Sequence, residues 1–130
     1  PLLDRFDICT EMREVPGEKI RKGRSGKTSE EIRREVGQVH EIQKERYKGT
    51  EIRFNSRLSG KETEKYCVMD RPAERLLTKV YTKLGLSVRG YHKILKTART
   101  IADLDNSDKI RENHVSEAVC YRAIDKKYWK

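Results

Sequence analysis

The chain has 130 residues, of which 30 are Lys or Arg and 21 are Asp or Glu, so its formal net charge is +9. This length suits one domain or a small domain with an appendage, and the sequence shows neither the roughly 18-residue apolar run of a membrane span nor a secretory leader pattern. The three cysteines (Cys9, Cys67 and Cys120) are too few and too scattered for a disulfide framework, so we expect a cytoplasmic protein. Because no membrane-span pattern is present, we expect no membrane partner.

The first predicted element is a short strand over residues 6–12, where apolar and polar side chains alternate. No convincing partner strand follows it, and a lone strand leaves its backbone groups unsatisfied. Residues 16–27 contain one proline, three glycines and five basic residues, a composition typical of a flexible linker. The chain also begins with Pro1 instead of Met, so we expect a piece of a longer protein that holds the missing strands.

From residue 28 onwards the pattern is helical, and two capping boxes predict where helices begin. Thr28 and Glu31 are spaced as a capping box ahead of a helix that should end near Gly49. Ser59 and Glu62 form a second box, which predicts a short helix to about residue 67.

Two longer helices with apolar stripes follow. Asp70 is the predicted cap of a helix that ends at Gly85, and Ser87 is the cap of the next, which should run to about Leu104. Apolar residues recur at helical spacing in both, which predicts two core-facing stripes: Ala73, Leu76, Leu77, Val80, Tyr81 and Leu84; then Tyr91, Ile94, Leu95, Ala98, Ile101 and Ala102.

A final helix is predicted over about residues 112–124. Leu, Ile, Val and Phe are denser in residues 71–124 than in residues 1–70, so the core should lie in the C-terminal half. The predicted fold class is all-α: a small helical bundle preceded by an orphan β-strand and a flexible linker.

Common catalytic motifs are not convincing. Gly26-Lys27-Thr28 lacks the earlier glycine and the preceding buried strand of a phosphate loop, so a helix cap is the preferred interpretation. The three histidines lie on three different predicted helices, without the spacing of metal ligands. We therefore predict no metal site in this chain.

Four basic residues are spaced to form a ridge opposite the apolar stripe of the predicted helix over 88–104: Arg89, Lys93, Lys96 and Arg99. The ridge is either a solvated face or a nucleic-acid contact, since cations on one helix face neutralise phosphates. A helix-turn-helix is disfavoured because the preceding helix is too long and the ridge lacks Asn or Gln. A third possibility is that Arg89 alone, in the first turn after a Ser cap, pairs with a polyphosphate.

The N-terminal residues Pro1-Leu2-Leu3-Asp4-Arg5-Phe6-Asp7 also allow two interpretations. Arg5 could be held at a sheet edge by the neighbouring carboxylates, or the segment could be a truncated end without a role. The residues alone do not decide between them.

Several strings resemble one family. PLLDRFD at residues 1–7 resembles the arginine-finger motif of the helix-2-insert AAA+ ATPases. LSVRGYHKILKTARTIADLD at residues 86–105 and HVSEAVCYR at residues 114–122 resemble the sensor-2 and lid region of magnesium-chelatase-like AAA+ ATPases of the ComM/YifB type. TSEEIRREV at residues 28–36 and FNSRLSG at residues 54–60 are similar to the same family, so the resemblance covers nearly the whole chain. Classical magnesium chelatase subunits are less similar, since they carry glycine in place of Asp7.

The resemblance implies roles for particular residues and segments. Arg5 matches the arginine finger, which acts in trans on the ATP of a neighbouring subunit, and Arg89 matches the sensor-2 arginine. Residues 1–15 would be the end of an AAA+ core, residues 16–27 a basic linker and residues 28–130 a helical lid. The phosphate loop, the Mg-coordinating acidic motif and the sensor-1 residue would precede Pro1, so the isolated chain is expected neither to bind nor to hydrolyse ATP.

The expected whole protein is a homo-oligomeric ring, a hexamer, that uses ATP and Mg and acts on DNA. Its partners would be its own N-terminal AAA+ core and DNA, with Lys93, Lys96 and Arg99 as possible DNA contacts. Two alternatives remain open: a non-enzymatic DNA-binding helical module, and the ATPase subunit of a true magnesium chelatase.

Overall fold

The computed structural model describes residues 3–23 and 26–128, and within them the chain forms α-helices and no strand. The predicted all-α helical bundle is therefore confirmed. The helices are α1 Gly17–Arg21, α2 Ser29–Arg46, α3 Gly60–Tyr66, α4 Arg71–Leu84, α5 Val88–Leu104 and α6 Glu112–Tyr128, with 3-10 turns at Leu3–Arg5 and Asn55–Arg57.

Both predicted capping boxes are formed at the starts of α2 and α3. The Glu31 N–H donates to the Thr28 hydroxyl at 3.2 Å, and the Thr28 N–H donates to the Glu31 carboxylate at 2.7 Å. Ser59 and Glu62 repeat this exchange at 3.4 and 2.7 Å. Each box satisfies two backbone donors that a helix start leaves open, which is why local sequence alone sets these two boundaries.

The turn between α4 and α5 also follows its sequence signals. Asp70 accepts from the Ala73 N–H at 2.9 Å, and Ser87 accepts from the Gly90 N–H at 3.0 Å, so each caps its helix. Gly85 ends α4 with φ of +56°, a left-handed conformation that glycine adopts without the Cβ penalty.

The core is built around α5, which packs against α2, α3 and α6, while α4 packs against α6. Both predicted stripes supply buried residues, and most of the core lies in the C-terminal half, as expected. Its buried members are Tyr47, Leu58, Cys67, Ala73, Leu77, Ile94, Leu95, Ala98, Ala102, Ile110, Val115 and Ala118. Each large aliphatic side chain buried there contributes about 1.5–3 kcal/mol.

An isolated parallel bridge joins the loop before α4 to the loop before α6. The Ile110 N–H donates to the Val68 carbonyl at 2.9 Å, and the Asp70 N–H donates to the Ile110 carbonyl at 3.0 Å. Because Ile110 is buried in the core, the bridge fixes both loops against the bundle.

The N-terminal part differs from the sequence-based expectation. The predicted strand over residues 6–12 is not formed, since the described chain offers no partner strand to accept its backbone bonds. The predicted linker over residues 16–27 contains the short helix α1, whose side chains are exposed. Arg24 and Ser25 of that linker lie outside the described residues, as do Pro1, Leu2, Trp129 and Lys130.

Candidate functional site

Arg5 ends the first 3-10 turn and is exposed to solvent. The carboxylates on either side of it are engaged elsewhere: Asp4 pairs with Arg122 at 3.2 Å, and Asp7 pairs with Lys93 at 3.0 Å. Within the described part of the chain, the Arg5 guanidinium makes no ion pair or hydrogen bond. The Arg5 side chain is thus exposed at the end of a short turn. The neighbouring carboxylates pair with Lys93 and Arg122 and do not neutralise the Arg5 guanidinium.

Arg89 is the second residue of α5, immediately after the Ser87 cap. Its side chain is exposed, and among residues 3–23 and 26–128 nothing pairs with its guanidinium. A helix N-terminus carries partial positive charge, so Arg89 adds a full charge to an end that already favours anions. This arrangement suits contact with a phosphate group.

Lys93 and Lys96 lie further along α5 and are both partly buried. The Lys93 ammonium donates to the Phe6 carbonyl at 3.3 Å in addition to its pair with Asp7. The Lys96 ammonium lies 3.4 Å from the Ser56 carbonyl oxygen. Both cations therefore already have contacts within the chain, and a DNA contact by either remains a prediction.

Arg99 does not lie on an exposed ridge, and its sequence-based placement there is wrong. It is 1% exposed, and its guanidinium donates to the Ser107 carbonyl at 2.5 Å and to the Asp108 carbonyl at 2.8 Å. Its Nε donates to the Asp103 carboxylate at 3.1 Å. Burial lowers the pKa of Arg99 from its ordinary value, an effect that the Asp103 carboxylate opposes. Arg99 is therefore inaccessible to DNA in this fold.

A buried polar cluster that the sequence analysis missed surrounds Asp103; we call Arg46, Asn55, Arg99 and Asp103 the Asp103 cluster. The Arg46 guanidinium donates to both carboxylate oxygens of Asp103, at 2.8 Å for the Nη1 bond. The Asn55 amide donates to the same carboxylate at 2.9 Å. The hydrogen bonds that Arg46 donates to the Asp103 carboxylate raise the pKa of Arg46. The cluster joins α2, the turn at Asn55–Arg57 and α5, so its role is to hold the bundle together.

The only sequence signal for this cluster is the spacing of Arg99 and Asp103, which are four residues apart on one helix and form an ion pair at 3.1 Å. Arg46 and Asn55 come from distant segments, and no local pattern marks them.

The Gly-Lys-Thr sequence and His114 have structural roles. Thr28 caps α2, and Lys27 pairs with Glu35 at 2.5 Å. His114 is buried: its Nδ1 accepts from the Arg111 N–H at 3.0 Å, and its Nε2 lies 2.9 Å from an Asp105 carboxylate oxygen. Among the described residues, no group of three or more His, Cys, Asp or Glu side chains could hold a metal ion.

In the part of the chain that the structure describes, no helix has both the length and the apolar character needed to cross a bilayer.

Comparison with known proteins gives consistent matches. A family model described as the C-terminal part of magnesium chelatase subunit ChlI matches residues 26–122. YifB of Salmonella typhimurium is 41% identical over 127 residues, which are 97% of this chain and 24% of that protein. The competence protein ComM of Haemophilus influenzae is 43% identical over 125 residues, which are 95% of this chain and 24% of that protein. YifB of Escherichia coli is 36% identical over 127 residues, with 97% and 24% covered.

The chain thus spans about a quarter of the length of the curated relatives it matches. The family model covers most of the chain, and the matches to the relatives extend over 95–97% of it. From this agreement we conclude that the chain belongs to the magnesium-chelatase-like AAA+ family of the ComM/YifB type, as a C-terminal segment.

Proposed function

We propose that the chain is the helical lid of a Mg·ATP-dependent AAA+ motor that acts on DNA in the cytoplasm. Arg5 is its arginine finger and Arg89 its sensor-2 arginine. The observation that carries the proposal is the combination of family membership with the exposure of both guanidinium groups, which have no partner in the described chain. The buried Arg99, by contrast, is fully engaged in the fold.

Arg5 is suited to act on the nucleotide of a neighbouring subunit. A guanidinium has five fixed donors and stays charged, so it can stabilise the negative charge that develops on a transferred phosphoryl group. An arginine that serves the next subunit requires head-to-tail packing, and such packing closes into a ring when the rotation allows it. We propose a hexameric ring, in which each subunit's own AAA+ core precedes this lid.

Arg89 is suited to report on the nucleotide from the start of α5. That helix is joined to α2 through the Asp103 cluster and packs along α6. A displacement of its N-terminus would therefore move the other helices of the bundle with it. Contact between Arg89 and a phosphate would therefore bias the position of the lid as a unit, in the manner of a ligand-driven domain closure.

The described residues fit only part of a Mg·ATP site. Arg5 and Arg89 are phosphate-binding side chains, whereas the family's phosphate loop and acidic Mg motif have no counterpart among them. Mg·ATP, when bound, supplies the phosphoanhydride bond whose cleavage drives the motor. The residues of this chain contribute the two cations and the rigid body that carries them.

DNA as the substrate is supported by the net charge of +9 and by the name of one relative, a competence protein. Lys96 is the better of the two remaining ridge cations for a DNA contact, because its one hydrogen bond is long while Lys93 also has a carboxylate partner.

A second candidate function is the ATPase subunit of a true magnesium chelatase, which the description of the matching family model favours. A non-enzymatic DNA-binding module is the third; it predicts salt-dependent DNA binding by residues 1–130 alone, weakened in Lys96→Glu.

The test of the proposal is ATP turnover by the full-length protein that carries Arg5→Ala or Arg89→Ala. Removing a finger arginine is expected to lower kcat by roughly 10³-fold or more, while ATP binding is retained in Arg5→Ala. Arg75→Ala is the matched control, since Arg75 is an exposed arginine on α4. Unchanged turnover in Arg5→Ala and Arg89→Ala would contradict the proposal.

A further inference from the structure

Residues 3–9, here called the finger segment, carry Arg5 and lie against α5 and α6. The Phe6 carbonyl, directly after Arg5, accepts two hydrogen bonds from the lid. One comes from the Lys93 ammonium at 3.3 Å and the other from the Arg122 guanidinium at 3.1 Å. Two cations from two helices thus converge on the Phe6–Asp7 peptide group, one residue after Arg5.

The same two cations also hold the carboxylates of the finger segment. Asp4 pairs with Arg122 at 3.2 Å, and Asp7 pairs with Lys93 at 3.0 Å. A backbone bond extends the contact, since the Cys9 N–H donates to the Tyr121 carbonyl at 2.9 Å. Arg5 therefore lies between two acidic residues that are each tied to the lid.

The cations and the carboxylates of this contact differ in solvent exposure. The side chains of Lys93 and Arg122 are 12% and 8% exposed, whereas those of Asp7 and Asp4 are 68% and 43% exposed. With the finger segment in place, the two cations are thus largely enclosed, whereas the carboxylates that pair with them remain open to solvent.

Lys93 also connects Arg5 to Arg89. Lys93 and Arg89 are four residues apart on α5, so they lie one helical turn apart on the same face, with a rise of about 6 Å between them. One short rigid stretch of α5 therefore carries the sensor-2 candidate at one end and the contact to the finger candidate at the other.

We propose that Lys93 and Arg122 are positioning residues that fix the finger segment to the lid, so that Arg5 and Arg89 move as one unit. This inference rests on the proposed function for the roles of the two arginines. In this proposal Lys93 supports the ATP site of the neighbouring subunit by positioning Arg5, and it does not contact DNA.

The contact itself is tested first, in the 130-residue chain, by hydrogen exchange of the Cys9 amide. Lys93→Met should speed this exchange roughly tenfold, because the finger segment opens more often, while Lys93→Arg should restore slow exchange. The core amide of Ala98 should be unaffected, which separates loss of the contact from unfolding. Lys79→Met is the matched control, an exposed lysine on α4. Exchange of Cys9 that is equally fast in wild type and Lys93→Met would overturn the proposal.

The coupling is tested in the full-length ATPase. Lys93→Met should lower kcat about tenfold with the KM for ATP unchanged, since a mispositioned finger weakens only the transition state. Asp7→Asn should cause a smaller loss, and the double variant should lose no more than Lys93→Met, because the two residues act through one contact. Lys93→Arg should recover most of the activity.

The outcomes separate the two levels of the proposal. If Arg5→Ala has normal turnover, the proposed function fails. If Arg5→Ala is impaired but Lys93→Met has normal kcat, the positioning role is wrong while the finger stands. If Lys93→Met loses DNA affinity and keeps its DNA-free kcat, Lys93 is a DNA contact and the proposal is overturned.

Discussion

Replacing Asp103 by Asn removes the carboxylate that two buried or half-buried guanidinium groups share. Asp103 is 2% exposed and accepts hydrogen bonds from Arg46, Arg99 and the Asn55 amide. Asn has nearly the same shape, so the change removes charge and one acceptor without opening a cavity. It leaves Arg99 buried with its two carbonyl partners and no counter-charge.

The magnitude follows from the exposure of each partner. Breaking a fully buried ion pair by removing one member costs about 3–5 kcal/mol. The Arg46 side chain is 18% exposed and can recover some hydration, whereas Arg99 is 1% exposed and cannot. Because Asn retains one acceptor oxygen, we expect Asp103→Asn to lower the free energy of unfolding by about 3 kcal/mol, toward the lower end of that range.

Urea denaturation of the 130-residue chain, followed by circular dichroism, measures this change. The midpoint should fall while the slope is unchanged, since the surface exposed on unfolding is the same. Asp108→Asn is the matched control, because the Asp108 side chain is exposed and only its carbonyl contacts Arg99. A loss below about 1 kcal/mol, the size of one ordinary hydrogen bond, would refute the assignment of Asp103 as the counter-charge of the cluster.

Two further predictions concern the capping boxes and the thiols. Backbone hydrogen bonds from Thr28 and Ser59 lower the pKa of Glu31 and Glu62, respectively. Their contribution to stability is therefore present above the unfolded pKa of about 4.3 and is lost as the pH falls through the lower folded pKa. Thermal unfolding followed between pH 6 and pH 3 should lose part of its acid sensitivity in the Glu31→Gln/Glu62→Gln double variant, and an identical pH profile would contradict this. Burial raises the pKa of the Cys67 thiol to about 11, whereas Cys120 is exposed. Iodoacetamide at pH 8 should label Cys120 in the folded chain and Cys67 only after unfolding, as checked by peptide mass; equal labelling rates in the folded chain would be inconsistent with this core.

Helix starts were predictable because they depend on neighbours within four residues. Thr28, Ser59, Asp70 and Ser87 each bond a backbone N–H three positions ahead, and the structure has all four caps. The apolar spacing of α4 and α5 was informative for the same reason, since helical periodicity alone determines which residues share a face.

The burial of Arg99 could not be predicted in this way. Its position opposite the apolar stripe indicates solvent only if nothing covers that side of α5. The loop after α5 covers it, and the carbonyls of Ser107 and Asp108 with the Asp103 carboxylate satisfy its donors. Such contacts depend on the tertiary path of the chain, which local spacing does not contain.

The residues of the candidate site were proposed from the sequence, whereas their contacts with the rest of the fold could not be. The motif pointed to Arg5 and the helix cap to Arg89, and both are exposed as a phosphate contact requires. In one of the two interpretations left open, the carboxylates beside Arg5 orient it directly, whereas in the structure they pair with Lys93 of α5 and Arg122 of α6. The strand predicted over residues 6–12 is not formed, because strand pairing needs a neighbouring strand that the described residues do not provide.

The central claim is that Arg5 completes the ATP site of a neighbouring subunit, and subunit mixing tests it most directly. Full-length Arg5→Ala subunits retain their own nucleotide site but lack the finger, while subunits with a disabled phosphate loop retain the finger but bind no ATP. Each population alone should be inactive, and mixed rings should recover turnover at interfaces where an intact Arg5 faces an intact nucleotide site. Arg5→Ala rings that hydrolyse ATP at the wild-type rate, or mixed rings that recover no activity although they assemble, would contradict the account.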